Sequence, residues 1–112
     1  MGGKASRRKG HDWEREVVTR FRGVFGDNEV KRGLQARSGE EVPDVDLPCF
    51  WIECKRGQRT DIKAALEQAA DAAPKGRLPL AVCKDDHRDP MIAMLLDDFI
   101  ELVREWWKRS NR

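Results

Sequence analysis

The chain has 112 residues, and its 22 basic and 20 acidic side chains leave a net charge of +2 at pH 7. This length allows one domain with a modest core, and the near balance of charge excludes a polycation. Three cysteines without CxxC spacing indicate neither a disulfide framework nor a zinc site. Neither a signal peptide nor a membrane-spanning run is visible, so we expect a cytoplasmic protein with no membrane partner.

Residues 1–10 are small, basic and glycine-containing, and we expect a flexible basic arm there, ahead of a domain over residues 11–112. This arm and the basic clusters downstream surround an acidic centre. Such a distribution suits a polyphosphate partner held near a metal, although solvated surface charge would give the same pattern.

A first helix is predicted to begin at His11 or Asp12. His11 could contact phosphate or serve a metal, but a histidine at a helix start is more typical of the surface. Glu14 lies one step round the helix from Trp13, where it can face a site or simply favour the helix dipole. Four apolar residues at helical spacing form the predicted core stripe: Trp13, Val17, Phe21 and Val24.

Short strands are predicted next. Residues 29–32 give a weak strand, and residues 33–42 a polar loop. Residues 44–47 and 49–56 form the arms of a hairpin, and the second arm is the central strand.

A second helix is predicted from Thr60 or Asp61 to about Ala73, followed by a buried strand over residues 78–84. Residues 91–96 fit either a strand or a helix. The packing face of the second helix comprises Ile62, Ala65, Leu66 and Ala69.

The final helix is predicted from Asp97 or Asp98 to near Ser110. Trp106 and Trp107 are neighbours that cannot share a narrow helix face, so we expect one on the core and one exposed for a partner. The predicted packing stripe comprises Phe99, Leu102, Val103 and Trp106. The order of elements predicts a single small α/β domain with a central sheet flanked by helices.

The strand after Pro43 carries charges among its most apolar residues. Glu53 and Lys55 lie on one side of it, roughly 7 Å apart, with Asp44 close by. A salt bridge between Glu53 and Lys55 is the structural alternative to a functional site. Strand alternation sends Phe50, Ile52 and Cys54 to one face and Trp51, Glu53 and Lys55 to the other.

Phosphodiester cleavage needs an activated water and a stabilised transition state, and Mg²⁺ supplies both through oxygen ligands. Asp44, Glu53 and the backbone carbonyl of Cys54 can provide such ligands, and Mn²⁺ could substitute. Lys55 can position or deprotonate the water, and Glu14 could complete the metal shell.

At these residues the chain resembles the PD-(D/E)xK nuclease superfamily, through Pro43-Asp44 and Glu53-Cys54-Lys55. Within it, the chain is most similar to the small Holliday junction resolvases of archaea and their phages. Arg8-Lys9-Gly10 followed by Glu14 resembles their first-helix signature, and Arg37-Ser38-Gly39 their Ser- and Gly-containing loop. The resemblance covers about residues 8–84, with a shorter hairpin than is usual in the archaeal enzymes.

The resemblance implies a restriction-endonuclease-like fold with a mixed sheet, and a metal-dependent endonuclease that makes paired symmetric nicks in four-way DNA junctions. Two cuts need two active sites, so it also implies a homodimer. If the chain is phage-encoded, the compartment is the cytoplasm of the host. The implied catalytic residues are Glu14, Asp44, Glu53 and Lys55.

Several assignments stay open at this point. Asp46 competes with Asp44 for the metal, and we favour Asp44 because it follows proline. Gln68 is either a second contact to the site or an ordinary helix glutamine. The predicted DNA-binding residues are Arg7, Arg8, Lys9, Arg32, Arg37, Ser38 and Arg56.

Two other functions fit the same residues. One is a nuclease of this superfamily that acts on flaps, ends or duplex DNA. The other is a non-catalytic DNA-binding module.

Overall fold

The structure is a computed structural model, and it describes residues 3–33 and 41–111. Eight elements follow in chain order: α1 (Gly3–Phe25), β1 (Lys31–Arg32), β2 (Val45–Leu47), β3 (Phe50–Gly57), α2 (Ile62–Ala72), β4 (Leu78–Asp85), β5 (Met91–Ala93) and α3 (Leu96–Ser110). The predicted class, a small α/β domain with a mixed sheet, is confirmed.

The five strands form one sheet in the order β1-β2-β3-β4-β5. The pair β3–β4 is parallel and is joined through α2, whereas the other neighbouring pairs are antiparallel. The predicted hairpin is β2–β3, with Val45 opposite Ile52. Residues 91–96, which fitted either type of element, contain the edge strand β5 and the first residue of α3.

The two faces of the sheet carry separate cores. On one face, Ile52 and Cys54 of β3 pack in a cluster with Trp13 and Val17 of α1. On the other, Ala81 and Cys83 of β4 pack with Ala65 of α2. The predicted alternation along β3 is therefore confirmed for its apolar residues.

The helix α1 begins at Gly3, eight residues before the predicted start. Residues 3–10, predicted as a flexible arm, form its first turns. Five of these eight residues favour helix: Lys4, Ala5, Arg7, Arg8 and Lys9. Lys9 also ion-pairs with Asp86 at 3.5 Å, which ties this part of the helix to the turn after β4.

The predicted core stripe of α1 is right for Trp13 and Val17 and wrong for Val24, which is 79 % exposed. Val18, which was not predicted, is buried, and Phe25 packs partly against the core in place of Val24. The stripe follows steps of four residues, so its last member falls one position later than expected.

The helix α2 matches its prediction. Asp61 caps it by accepting a hydrogen bond from the amide of Ala64 at 3.0 Å. Ala65 and Ala69 are buried, and their small side chains allow the helix backbone to approach the sheet closely. Thr60 donates through its amide and hydroxyl to the Asp85 carboxylate, which fixes the start of α2 beside the end of β4.

The helix α3 contradicts its prediction as a packed helix. None of its residues is buried, and its predicted packing stripe is exposed. Trp106 and Trp107 are 62 % and 59 % exposed, so neither packs on the core. The helices α1 and α2 cover the two faces of the sheet, so the described part of the chain leaves α3 no free sheet face to pack on. Among the described helices, none is both long and apolar enough to cross a membrane.

Among the described glycines, Gly33 has the least room for a Cβ atom. A Cβ atom there would lie 1.7 Å from the carbonyl oxygen of Pro43, and the Gly33 amide donates to the Asp44 carbonyl at 2.9 Å. We predict that Gly33→Ala lowers the free energy of unfolding by about 1–3 kcal/mol, because the backbone must move. Urea denaturation measures this.

The matched control is Gly23→Ala in α1, where an added Cβ meets nothing within 4 Å. It is expected to raise the free energy of unfolding by about 0.5–1 kcal/mol, since alanine favours helix over glycine. Equal effects of the two substitutions would contradict the close approach at Gly33.

Candidate active site

An acidic cleft of about 950 Å³ opens beside the start of β2 and the middle of β3. The lining residues come from α1, β1, the segment before β2, β3 and α2. Five of them are carboxylates, while Arg32 and His11 are the basic side chains among the lining residues that the structure describes. The carboxylates are Glu14, Glu41, Asp44, Glu53 and Asp71.

Asp44 is held where β2 and β3 separate. Its amide donates to the Ile52 carbonyl at 2.9 Å, which continues the strand pairing by one bond. Two residues further along β3, the Cys54 amide donates to Asp44 Oδ2 at 2.9 Å, so a side chain replaces the backbone acceptor. The sheet pairing ends at this point, and the Asp44 carboxylate is fixed beside Glu53.

Glu53 is a buried carboxylate, with 5 % of its surface exposed. Its Oε1 accepts a hydrogen bond from Trp51 Nε1 at 3.3 Å. Burial, followed by the charge and hydrogen bonding of Asp44, raises the pKa of Glu53 to about 7. The charged forms of Glu53 and Asp44 therefore repel one another, and a bound cation would offset this repulsion.

The salt-bridge alternative for Glu53 and Lys55 is not what the fold forms. The ion pairs among the described residues do not include these two side chains. Glu53 points into the cleft, whereas Lys55 is exposed and lines the adjoining groove at the start of α2. Gln68 lines both, so it stands between the carboxylates and the Lys55 ammonium.

Glu14 enters the cleft from α1, as the sequence predicted. Burial, and then the charge of Asp44, raises the pKa of Glu14, so these two carboxylates are electrostatic neighbours. Arg32 of β1 lies 3.6 Å from Glu14 Oε1, and its Nε is buried without a hydrogen-bond partner. A basic group with unused donors thus stands at the wall of the acidic cleft.

Asp44 and Asp46, the two candidates for the metal ligand, lie in different places. Asp44 lines the cleft, whereas Asp46 forms an ion pair with Arg77 at 2.7 Å and lies in a separate surface groove. The Asp46 carboxylate is therefore directed to Arg77 and does not line the cleft. Gln68, the other suggested second contact, does line the cleft.

The predicted DNA-binding residues fall into different settings. Arg7 and Arg8 are exposed on α1, and Lys9 points to Asp86. Arg56 also pairs with Asp86 and donates to the carbonyl of Lys84, so this side chain has contacts within the fold. Arg37 and Ser38 lie outside the described residues.

Four lining residues were missed or set aside by sequence reasoning: His11, Gly33, Glu41 and Asp71. Asp71 follows Gln68 by three residues on α2, and helical spacing could have placed both on one face. His11 precedes Glu14 by three residues on α1 in the same way. Glu41 and Gly33 lie outside helices and strands, so no helix or strand periodicity could have placed them at the cleft.

The donor set fits a hard cation. Carboxylates and a carbonyl are the ligands that Mg²⁺ prefers, and it is typically held by one or two protein carboxylates with several waters. Asp44 and Glu53, with the Cys54 carbonyl, meet that requirement. Within residues 3–33 and 41–111, no three His, Cys, Asp or Glu side chains form a preassembled metal cage. Burial raises the pKa of the Cys54 thiol, which leaves it neutral.

No family model, no curated protein sequence and no solved structure matches the chain. The class of protein is therefore inferred from the chemistry of the cleft together with the resemblance of its motifs.

We predict that Glu53→Gln stabilises the metal-free protein at pH 8 by about 1–3 kcal/mol, because it removes a buried charge beside Asp44. The unfolded chain deprotonates Glu53 near pH 4.5, whereas the folded chain does so near pH 7. The stability held by protonated Glu53 is therefore present below pH 4.5 and is lost as the pH rises to 7. The gain from the substitution should grow over the same interval.

Urea denaturation in the presence of a chelator measures this gain. The control is Glu67→Gln on the exposed side of α2, which should change stability by less than about 0.5 kcal/mol at any pH. A loss of stability in Glu53→Gln at pH 8 would show that the carboxylate is satisfied without a cation. Addition of Mg²⁺ should raise the melting temperature of the parent protein and have less effect on Glu53→Gln.

Proposed function

We propose that the protein is a Mg²⁺-dependent DNA endonuclease that resembles the PD-(D/E)xK superfamily and acts as a Holliday junction resolvase. The observation that carries the proposal is the buried Glu53 carboxylate beside Asp44, held in place by the Cys54 amide. A fold gains nothing from two neighbouring carboxylates at this depth. Such a pair is typical of a site that binds a cation.

The charge of the cleft supports a metal-dependent reaction on a phosphate. Five carboxylates against Arg32 and His11 would repel a phosphodiester, unless a cation offsets them. Outside the cleft, exposed basic residues on α1 can hold the nucleic-acid backbone. Arg7 precedes His11 by four residues and Glu14 by seven, so this stripe leads along the helix into the cleft.

Each residue of the site has a part in cleavage. Asp44, Glu53 and the Cys54 carbonyl would hold Mg²⁺ (or Mn²⁺), and Glu14 would support the shell directly or through water. When bound, the metal lowers the pKa of a water and offsets the charge that builds on the phosphate. Arg32, which lines the cleft wall, can contact a phosphate oxygen through the terminal nitrogens of its guanidinium.

Lys55 supplies a cation at the same end of β3, on the side of α2. Its ammonium can orient the attacking water or neutralise the leaving oxygen. Gln68 lies between the carboxylates and Lys55 and can hydrogen-bond the same water. Because Lys55 is exposed, it is free to move toward a bound substrate.

The substrate within this class is branched DNA, by the resemblance of the motifs to small resolvases. Recognition would rest on the shape of the junction and on phosphate contacts. Two coordinated cuts would use two copies of the chain. The reaction would take place in the cytoplasm, of the host cell if the chain is phage-encoded.

We predict that Asp44→Asn and Glu53→Gln each reduce cleavage of a four-way junction by about 10³-fold or more, because each removes a metal ligand. Binding of the junction, measured by gel shift in Ca²⁺ or chelator, should stay close to that of the parent. The matched control is Asp46→Asn, two residues from Asp44 but outside the cleft, which should keep the parent rate. Full cleavage by Asp44→Asn would end the assignment.

A comparison of substrates separates the resolvase from its alternatives. Purified protein with Mg²⁺ is given a four-way junction, a flap and a linear duplex of matched sequence. Paired symmetric nicks near the branch point support the resolvase. Preference for the flap or the duplex would indicate another nuclease of the superfamily. Binding without cleavage in Mg²⁺ or Mn²⁺ would indicate a non-catalytic DNA-binding module.

A further inference from the structure

The helix α3 presents a wide apolar face to solvent. With 100° per residue, its large apolar side chains fall within about 160° of arc, and the charged side chains occupy the remainder. Each of these apolar residues is between 38 % and 70 % exposed. The α3 apolar face comprises Leu95, Leu96, Phe99, Ile100, Leu102, Val103, Trp106 and Trp107.

Trp106 and Trp107 belong to this face together. Their ring centroids lie 6.2 Å apart, at an interplanar angle of 44°. The sequence-based expectation that neighbours must point to different surfaces is wrong here, because the apolar arc is wide enough for both. Two adjacent tryptophans that are exposed to solvent are typical of a contact site for another molecule.

Within residues 3–33 and 41–111, no element of the chain covers the face. The helix makes no extensive contact with any other described element, and no residue of it is buried. Met91 and Ile92 of the edge strand β5, which precedes α3 in the chain, are also 56 % and 55 % exposed.

The charges of α3 are separated along its length. The first half carries Asp97, Asp98 and Glu101, whereas the second half carries Arg104, Lys108 and Arg109, with Glu105 as its acid. The first half therefore has a net charge of −3 and the second half of +2. A helix of this kind is complementary to a copy of itself that runs in the opposite direction.

We infer that α3 is the interface of a symmetric dimer, in which the α3 apolar faces of two copies pack antiparallel. In this arrangement the acidic half of each helix lies against the basic half of the other, and the helix dipoles oppose one another. Parallel pairing would set acid against acid at one end and base against base at the other. The inference rests on this surface alone and is independent of the chemistry of the cleft.

The spacing of the apolar residues allows continuous layers in such a pair. A two-fold axis near residue 101 sets Leu96 of one copy against Trp106 of the other, and Phe99 against Val103. A larger side chain thus meets a smaller one in both of these layers. The three aromatic side chains alone would bury roughly 300 Å² per copy. Five aliphatic side chains add to this area, and a standard interface buries about 800 Å² per partner.

A membrane surface fits the helix less well than a second copy. Helices that lie on anionic membranes carry lysine and arginine on their polar face. The polar face of α3 carries four acids against three basic residues, and two of the acids flank the start of the helix. The same acids oppose contact with a DNA backbone.

The first experiment measures the mass of the full chain by analytical ultracentrifugation over a wide range of concentration. The expected mass is about 26 kDa, twice the 12.9 kDa of one chain. Phe99→Glu and Trp106→Glu should each raise the dissociation constant of the dimer about tenfold or more, since each places a charge in an apolar layer. Glu105→Gln on the polar face of the same helix is the matched control and should remain dimeric.

Folding does not confound these variants, because no α3 side chain contributes to the core. Circular dichroism of the monomeric variants should retain the parent helix content. A parent protein that is monomeric at all concentrations would overturn the inference, as would an unchanged dimer in Phe99→Glu. Partition of a monomeric parent onto anionic phospholipid vesicles would assign the face to a membrane and overturn it equally.

A second experiment tests the direction of the helices. The double variant Asp97→Lys, Asp98→Lys makes the first half basic, so an antiparallel pair now sets base against base. The dissociation constant should rise about tenfold at low salt, and the effect should shrink at high salt. In a parallel pair the two first halves would change from −3 against −3 to +1 against +1, so the repulsion between them would fall. The dissociation constant would then stay the same or decrease, and that result would overturn the antiparallel arrangement.

Discussion

The hydrogen bond from the Cys54 amide to Asp44 Oδ2 organises the site and the adjoining sheet. It replaces the next backbone pair between β2 and β3, so the two strands part at this residue. The same bond fixes the Asp44 carboxylate beside Glu53, at a depth where neither charge is well solvated. The close approach of Gly33 to Pro43 supports this arrangement from the side of β1. Because the Asp44 carboxylate accepts the Cys54 amide in place of a backbone carbonyl, the two strands separate and an acidic cleft opens between them.

The electrostatics of the cleft follow from that exchange. Because Glu53 is buried beside Asp44, its proton is retained to about pH 7 unless another positive charge is present. Glu14 reaches the same point from α1, and Gln68 and Asp71 reach it from α2, which covers the opposite face of the sheet. Elements from both faces can meet there only because the strands have separated. The separation of the strands therefore allows acidic residues from different elements to line one cleft.

Much of the fold could be predicted because its signals are local. The alternation of β3, the alanine face of α2 and the apolar strand β4 depend on neighbours within a few residues. The first turns of α1 and the exposure of α3 could not be predicted in this way. Amphipathic periodicity shows that one side of a helix is apolar, but not which surface covers it. In α3 the pattern is as strong as in a core helix, and the sheet has no free face left to receive it.

For the site, the pattern of residues predicted the candidate side chains: Asp44 after proline, Glu53 and Lys55 on one side of a strand, and Glu14 near the predicted start of a helix. The different positions of Asp44 and Asp46 depend on how the elements pack. Both have the same side chain on the same segment, yet one accepts the Cys54 amide and the other pairs with Arg77. Only the tertiary structure placed Lys55 outside the acidic cleft and brought His11, Glu41 and Asp71 into it. Strand and helix spacing fix directions along one element, whereas distances between elements depend on how they pack.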